Sequence, residues 1–147
     1  MKVFIAMPYS QLCDEKYILK PKYKEFCVTL TNEIKSIGWE YFLAHERENW
    51  GKEYSSAEES TSIDFNTIKN SDVIVSIPDT SGGVHVELGW ASANKKRIKI
   101  FLDKNKSYSP MVLGLGVLTD VEYYYYDEEY SKEVIDQIIS ILKNFEQ

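Results

Sequence analysis

The run DVIVSI at residues 72–77 constrains the fold more strongly than any other part of the sequence. Its apolar side chains point in both directions along an extended chain, so neither face of such a strand could lie in water. Strands of this kind are typical of the centre of a parallel sheet that helices cover on both sides. Parallel strands need long connections, which are usually helices. The run therefore predicts an α/β fold.

Four more apolar runs have the length of strands: KVFIAM, WEYFLA, RIKIFL and VEYYYYD, which begin at residues 2, 39, 97 and 121. Helical apolar spacing separates most of them, over residues 21–37, behind a capping box at Ser56–Glu59, over residues 84–95, and over residues 134–145. The loop DKNKSYSPMVLGLG is rich in turn formers. The order βαβαβαββα predicts a three-layer, Rossmann-like (flavodoxin-like) domain over residues 1–147, with a mainly parallel five-stranded sheet and helices on both faces.

Composition excludes several classes of protein. Hydrophobic residues make up 44% of the 147 residues and charged residues 27%, which is typical of a globular chain. A net charge of −6 argues against binding to a nucleic-acid polymer, which needs a basic face. No apolar stretch approaches the ~18 residues of a membrane span, and Pro8 interrupts the short apolar start, so neither a membrane anchor nor a signal peptide is expected. We expect a cytoplasmic protein.

Metal and thiol chemistry have little support in the sequence. Cys13 and Cys27 lack metal-ligand or redox spacing, which indicates reduced thiols. His45 and His85 lie far apart and have no acids or thiols at ligand spacing around them. No metal site is expected.

The segment after the DVIVSI strand is suited to an anion. In an open α/β sheet, ligands bind beyond the carboxyl ends of the strands, and Ser81, Gly82 and Gly83 follow this strand and precede a helical pattern. Two glycines there can point backbone N–H groups at a phosphate or carboxylate near the positive end of the helix. A tight turn that needs positive φ would explain the same glycines, so both interpretations remain open.

Two acids could carry chemistry beside this segment. Glu87 is expected about one turn into the helix, in the mostly apolar stretch VHVELGWA, where the helix dipole would favour its ionised form. Asp64 lies on the helix that leads into the DVIVSI strand. Either could be an ordinary surface acid. If they meet, however, one carboxylate can act as a nucleophile and the other as a general acid, as glycosidic chemistry requires.

At these residues the chain resembles the nucleoside 2-deoxyribosyltransferase superfamily, and in particular its nucleoside 5'-monophosphate N-glycosidases. SGGVHVELGWA resembles the family segment that holds the nucleophilic Glu, here Glu87. DFNTIKNSDVIVS resembles the segment whose Asp, eight residues before the strand's opening Asp72, assists the leaving base; this is Asp64. YSPMVLG resembles a loop whose serine binds the 5'-phosphate, often across a dimer interface; this is Ser109. AHERENWG resembles the segment after the second strand in cytidine monophosphate hydrolases.

The resemblance implies hydrolysis of the N-glycosidic bond of a nucleoside 5'-monophosphate, with the cytidine and deoxycytidine monophosphates favoured. Glu87 and Asp64 would be catalytic, Ser81, Gly82, Gly83 and Ser109 would bind phosphate, and Tyr9 and Trp90 are candidates for the sugar and base pocket, although core packing explains Trp90 equally well. The first loop lacks the family's arginine–glycine signature, and Arg47 or one of Lys16, Lys20 and Lys22 are candidates to replace it. No cofactor is required, and a homodimer is expected. The alternatives are a deoxyribosyltransferase and a nucleotide-binding sensor or effector without turnover.

Overall fold

The computed structural model describes residues 1–145. Five strands form one all-parallel sheet in the order β2-β1-β3-β4-β5, which confirms the predicted α/β architecture. The strands are β1 (Lys2–Ala6), β2 (Glu40–Leu43), β3 (Val73–Ser76), β4 (Arg97–Asp103) and β5 (Val121–Tyr126). The helices are α1 (Pro21–Ser36), α2 (Ala44–Arg47), α3 (Ala57–Lys69), α4 (Gly82–Ala93), α5 (Pro110–Leu113) and α6 (Lys132–Lys143).

Helices cover both faces of the sheet, which explains why β3 is apolar on both sides. Leu30 of α1 and Ile138 of α6 belong to one buried cluster with Val75 of β3. Ile68 of α3 and Leu88 of α4 belong to the other, on the opposite face. The predicted capping box also forms at the start of α3, where Ser56 and Glu59 each accept a hydrogen bond from the other's backbone N–H.

Short helices occupy two connections in which the sequence predicted none. α2 follows β2 directly and leads into a 3-10 turn at Asn49–Gly51. Between β4 and β5, where a loop was expected, the chain forms α5 and a second 3-10 turn at Leu115–Val117. Four-residue and three-residue helices are too short to produce a recognisable apolar period.

The strand order places a crevice between β1 and β3. The chain moves from β1 to β2 on one side and then returns to β3 on the other, so the connections leave β1 and β3 in opposite directions. Such a switch point is where open α/β sheets bind ligands. The segments that follow the two strands meet there, because Gln11 Nε2 donates a hydrogen bond to Thr80 Oγ1 at 2.8 Å.

Candidate active site

Packing of α3 against α4 brings the two candidate acids together. The charge of Asp64 helps to raise the pKa of Glu87, and the guanidinium of Arg47 on α2 acts in the opposite direction on the pKa values of both acids. Arg47 donates a hydrogen bond from Nη1 to Asp64 Oδ1, and its Nη2 lies 3.4 Å from Ser60 Oγ. Arg47, Asp64 and Glu87 therefore form one cluster beside the crevice, although they span 40 positions of the sequence. We call it the acid cluster.

Glu87 lies in the second turn of α4, further from the helix start than expected. The helix begins at Gly82, whereas the apolar pattern suggested Val84. The field of a helix end falls off within the first turn, so the dipole does little to ionise this carboxyl. Its Oε2 is buried and has no hydrogen-bond partner among residues 1–145. Burial, assisted by the charge of Asp64 and opposed by Arg47, raises the pKa of Glu87 to about 8.

Asp64 also has a raised pKa. Burial is the main cause, and it outweighs the opposing effect of the ion pair with Arg47. With a pKa of about 8, Glu87 is largely protonated near neutral pH, whereas the hydrogen bond from Arg47 to Asp64 favours the carboxylate form of Asp64. Two neighbouring carboxyl groups that share one proton can exchange donor and acceptor roles.

Arg47 is bound on both sides by acids. In addition to Asp64, it contacts Glu48, whose Oε1 accepts a hydrogen bond from Arg47 Nε at 2.8 Å. The other oxygen, Oε2, accepts from the Ser55 backbone N–H at 2.7 Å. Burial alone would raise the pKa of Glu48, but these hydrogen bonds lower it overall. Glu48 is only 4% exposed, so a buried carboxylate holds Arg47 in place.

A cavity of about 200 Å³ opens beside this cluster. Its lining residues are Tyr9, Arg47, Glu48, Tyr54, Ser55 and Ser60. The ring of Tyr9 stacks on buried His45, with centroids 4.5 Å apart and planes 10° from parallel. Burial lowers the pKa of His45 to about 4, so the imidazole is neutral and acts as an apolar support for Tyr9.

The backbone conformation at the start of α4 does not require glycine. Ser81 is the N-cap, and its Oγ accepts a hydrogen bond from the Val84 N–H at 3.4 Å. Neither Gly82 nor Gly83 has positive φ, so the tight-turn interpretation is wrong. A Cβ at Gly82 would meet nothing within 4 Å, and one at Gly83 would meet only Ser81 Oγ at 3.8 Å. The start of α4 therefore has open space beside both glycines.

Ser109 and Trp90 do not join the acid cluster. Ser109 is the N-cap of α5 and lines a groove with His85 and Leu88 of α4; on a helix, these positions lie on a different face from Glu87. Trp90 packs edge-on against Phe65 of α3, with ring centroids 5.6 Å apart, and contributes to the core on that side of the sheet.

Glu48, Ser60 and His45 belong to this region, although sequence reasoning did not select them as site residues. The segment AHERENWG was the sequence signal for His45 and Glu48, whereas no motif pointed to Ser60 on α3. The residues that the structure describes contain no group of three acids, histidines or cysteines able to hold a metal. None of their helices is long and apolar enough to cross a bilayer.

Comparison with known proteins places the chain in a family. No protein-family model matches it, and no curated protein sequence matches it significantly. Among solved structures, BlsM is 32% identical, with a TM-score of 0.76 and coverage of 99% of this chain and 94% of BlsM. The CMP N-glycosidase BcmB of Clostridium botulinum is 27% identical, with a TM-score of 0.71 over 94% of this chain and 97% of that one.

A more distant structure shares the fold alone. The 2-deoxyribosyltransferase of Bacillus psychrosaccharolyticus is 19% identical, with a TM-score of 0.58, and the match covers 92% of this chain and 91% of that one. Together with the parallel five-stranded sheet, these similarities show that the chain belongs to the nucleoside 2-deoxyribosyltransferase-like superfamily.

Proposed function

We propose that the protein is an N-glycosidase that cleaves a nucleoside 5'-monophosphate into free base and (deoxy)ribose 5-phosphate. The observation that carries the proposal is the pair of carboxyl groups on Glu87 and Asp64, both with raised pKa values, at the crevice of the sheet. The 27% identity to a CMP N-glycosidase supports the choice of reaction and makes cytidine and deoxycytidine monophosphates the first candidates.

In the proposed reaction, Glu87 attacks C1' of the sugar as a carboxylate. The C1'–N bond breaks with its electron pair going to the base, and Asp64 donates a proton to the base or holds it by a hydrogen bond. The resulting glycosyl ester of Glu87 is then hydrolysed by water, which gives net retention at C1'. The reactive form has the single shared proton on Asp64, so the proton must move there from Glu87 when substrate binds. No metal or organic cofactor takes part.

The phosphate would bind at the start of α4. Space is open beside Gly82 and Gly83, where a Cβ would meet at most Ser81 Oγ at 3.8 Å, and a ligand that approaches the backbone N–H groups of a helix start requires such room. Arg47 is an unsuitable phosphate ligand, because the two acids that contact it, Glu48 and Asp64, would repel the charge of a phosphate. Its proposed role is to set the charge of the two acids.

We also propose a homodimer that completes this site. Ser109 lies on the other side of α4 from Glu87 within its own chain, so we propose that its hydroxyl serves the site of a neighbouring subunit. It lines an apolar groove of about 370 Å³, in which Met111 is 82% exposed and Leu118 52% exposed. Exposed apolar surface of this kind is typical of a protein–protein contact.

Incubation with a panel of ribo- and deoxyribonucleoside 5'-monophosphates tests the function. We expect free base and sugar phosphate from at least one member, measured by chromatography. If none of them yields free base, the hydrolase proposal fails and binding without turnover replaces it. A second free base added to the reaction distinguishes a transferase, because only a transferase would form a new nucleoside.

A further inference from the structure

The cavity beside the acid cluster has the size of one part of a substrate. Its volume of about 200 Å³ is below the ~300–1,000 Å³ of pockets that enclose a whole drug-sized ligand. It shares Arg47 with Asp64, the group proposed to assist the leaving base. If the proposed function is right, on which this inference rests, the cavity lies where the base would be and has room for a single ring.

The aromatic wall of this cavity is rigid. Tyr9 is fixed by its stacking on His45, which is itself only 1% exposed. The Tyr9 hydroxyl is buried and makes no hydrogen bond within the described part of the chain. A planar ring next to a phenol is a suitable surface for a heteroaromatic base.

Glu48 provides the cavity with an acceptor that still has free capacity. Each of its oxygens accepts one hydrogen bond, from Arg47 Nε and from the Ser55 N–H, whereas each carboxylate oxygen can accept about two. A carboxylate can only accept hydrogen bonds, so a base must donate to it. Arg47 beside it can only donate, and it pairs with an acceptor on the base.

The backbone after Glu48 is held in an unfavourable conformation. Asn49, Trp50 and Gly51 have φ values of 47°, 60° and 93° in succession. Positive φ at a bulky residue such as Trp50 costs about 1–2 kcal/mol and persists only where the surrounding structure fixes it. The turn therefore holds the Glu48 carboxylate rigidly toward Arg47 and Ser55.

We infer that Glu48 determines base specificity by accepting a hydrogen bond from an exocyclic amino group of a single-ring base. Cytosine presents an amino donor next to the ring acceptor N3, which matches the acceptor–donor pair of Glu48 and Arg47. Uracil presents the reverse pattern, with a carbonyl oxygen next to N3–H, so its carbonyl would face the carboxylate. The site therefore selects cytosine over uracil.

Binding measured by calorimetry in a Glu87→Gln background, which blocks turnover, tests this inference. We expect cytidine monophosphate to bind at least ~10-fold more tightly than uridine monophosphate, since a hydrogen bond to a charged group contributes about 1.5–3 kcal/mol. Adding Glu48→Gln should reduce this ratio about tenfold, because the amide can donate to the uracil carbonyl. Glu46→Gln, an exposed change on α2 two residues before Glu48, is the matched control and should leave the ratio unchanged.

Each other outcome is decisive. If cytidine and uridine monophosphates bind equally well to the protein that keeps Glu48, the inference is wrong. If Glu48→Gln weakens the binding of both nucleotides but leaves their affinity ratio unchanged, Glu48 only positions Arg47. Tighter binding of adenosine monophosphate would contradict the single-ring part of the inference. If selective binding depends on Glu48 but the unmodified protein releases no base, only the proposed function fails. If neither pyrimidine nucleotide binds, both fail.

Discussion

At the scale of single residues, Glu87 and Asp64 predict how activity depends on pH. A reactive pair needs one proton: with two, Glu87 cannot attack, and with none, Asp64 cannot assist the leaving base. We expect a bell-shaped profile of kcat/KM, with an alkaline limb near the Glu87 pKa of about 8 and an acidic limb above the ordinary value of an Asp, since burial raises the pKa of Asp64. Steady-state rates across pH on the best substrate measure it. A profile that rises without limit toward alkaline pH would contradict the shared proton.

Glu87→Gln should abolish turnover while leaving the chain folded, and it should change how stability varies with pH. The folded state keeps a proton on Glu87 that the unfolded state releases above about pH 4.5. Stability should therefore fall as pH rises from about 4.5 to about 8, by about 5 kcal/mol at most, and level off above that.

Urea denaturation of both forms over this range measures the effect. The Gln variant should lack this part of the slope, whereas Glu46→Gln should retain it because Glu46 is exposed. Identical slopes in the natural chain and in Glu87→Gln would show that the Glu87 carboxyl is not protonated in the folded protein. Residual turnover in the Gln variant would remove Glu87 as the nucleophile.

At the scale of elements, the start of α4 can be tested by filling its open space. Gly82→Ala should not destabilise the fold, because a Cβ there meets nothing within 4 Å and alanine favours a helix. If a phosphate lies against this backbone, the methyl group should raise KM for a nucleoside monophosphate several-fold. The corresponding nucleoside without phosphate is the control substrate, and its kcat/KM should not change. An equal effect on both substrates would place the phosphate elsewhere.

The 3-10 turn after α2 has no room for a side chain at Gly51. A Cβ at Gly51 would lie 2.2 Å from the Tyr17 carbonyl oxygen, and φ there is 93°. Gly51→Ala should therefore cost ~3 kcal/mol or more in the free energy of unfolding. Gly38→Ala is a matched control: its φ is 79°, but its Cβ would meet nothing within 4 Å, so only the backbone strain of about 1–2 kcal/mol applies. Equal losses in the two variants would mean that the turn moves to relieve the contact.

At the scale of the whole molecule, the apolar groove between α4 and α5 predicts the oligomeric state. We expect a dimer in light scattering. Met111→Asp should dissociate it and lower activity, because a charge on this exposed apolar side chain opposes burial in a contact. Val28→Asp places the same charge on an exposed apolar residue of α1 and should change neither property. A natural chain that is monomeric and fully active would exclude a shared site.

The sequence predicted the fold more completely than the site. The strands, α1, α3 and α6 could be predicted because their periods are long or their caps distinct, as with Ser56 and Glu59. The sequence pattern placed the start of α4 two residues late, at Val84, because glycine has a low intrinsic helix propensity and two glycines, Gly82 and Gly83, come first. Ser81 supplies the cap that starts the helix before them. Because the helix starts earlier, Glu87 lies in its second turn and not in its first, where the helix dipole would have favoured the ionised carboxyl group.

The sequence by itself determined the apolar pattern that makes β3 a central strand, and it placed an acid after the strand-to-helix turn, at Glu87. Only the tertiary structure decided the charge of that acid, because burial and the field of Asp64 come from packing between α3 and α4. Only it brought Glu48 and Arg47 to the same cavity as Tyr9, through two short helical turns with no sequence period. Backbone preferences are local and can be predicted along the chain, whereas a pKa depends on every charge and every excluded water in the surrounding space.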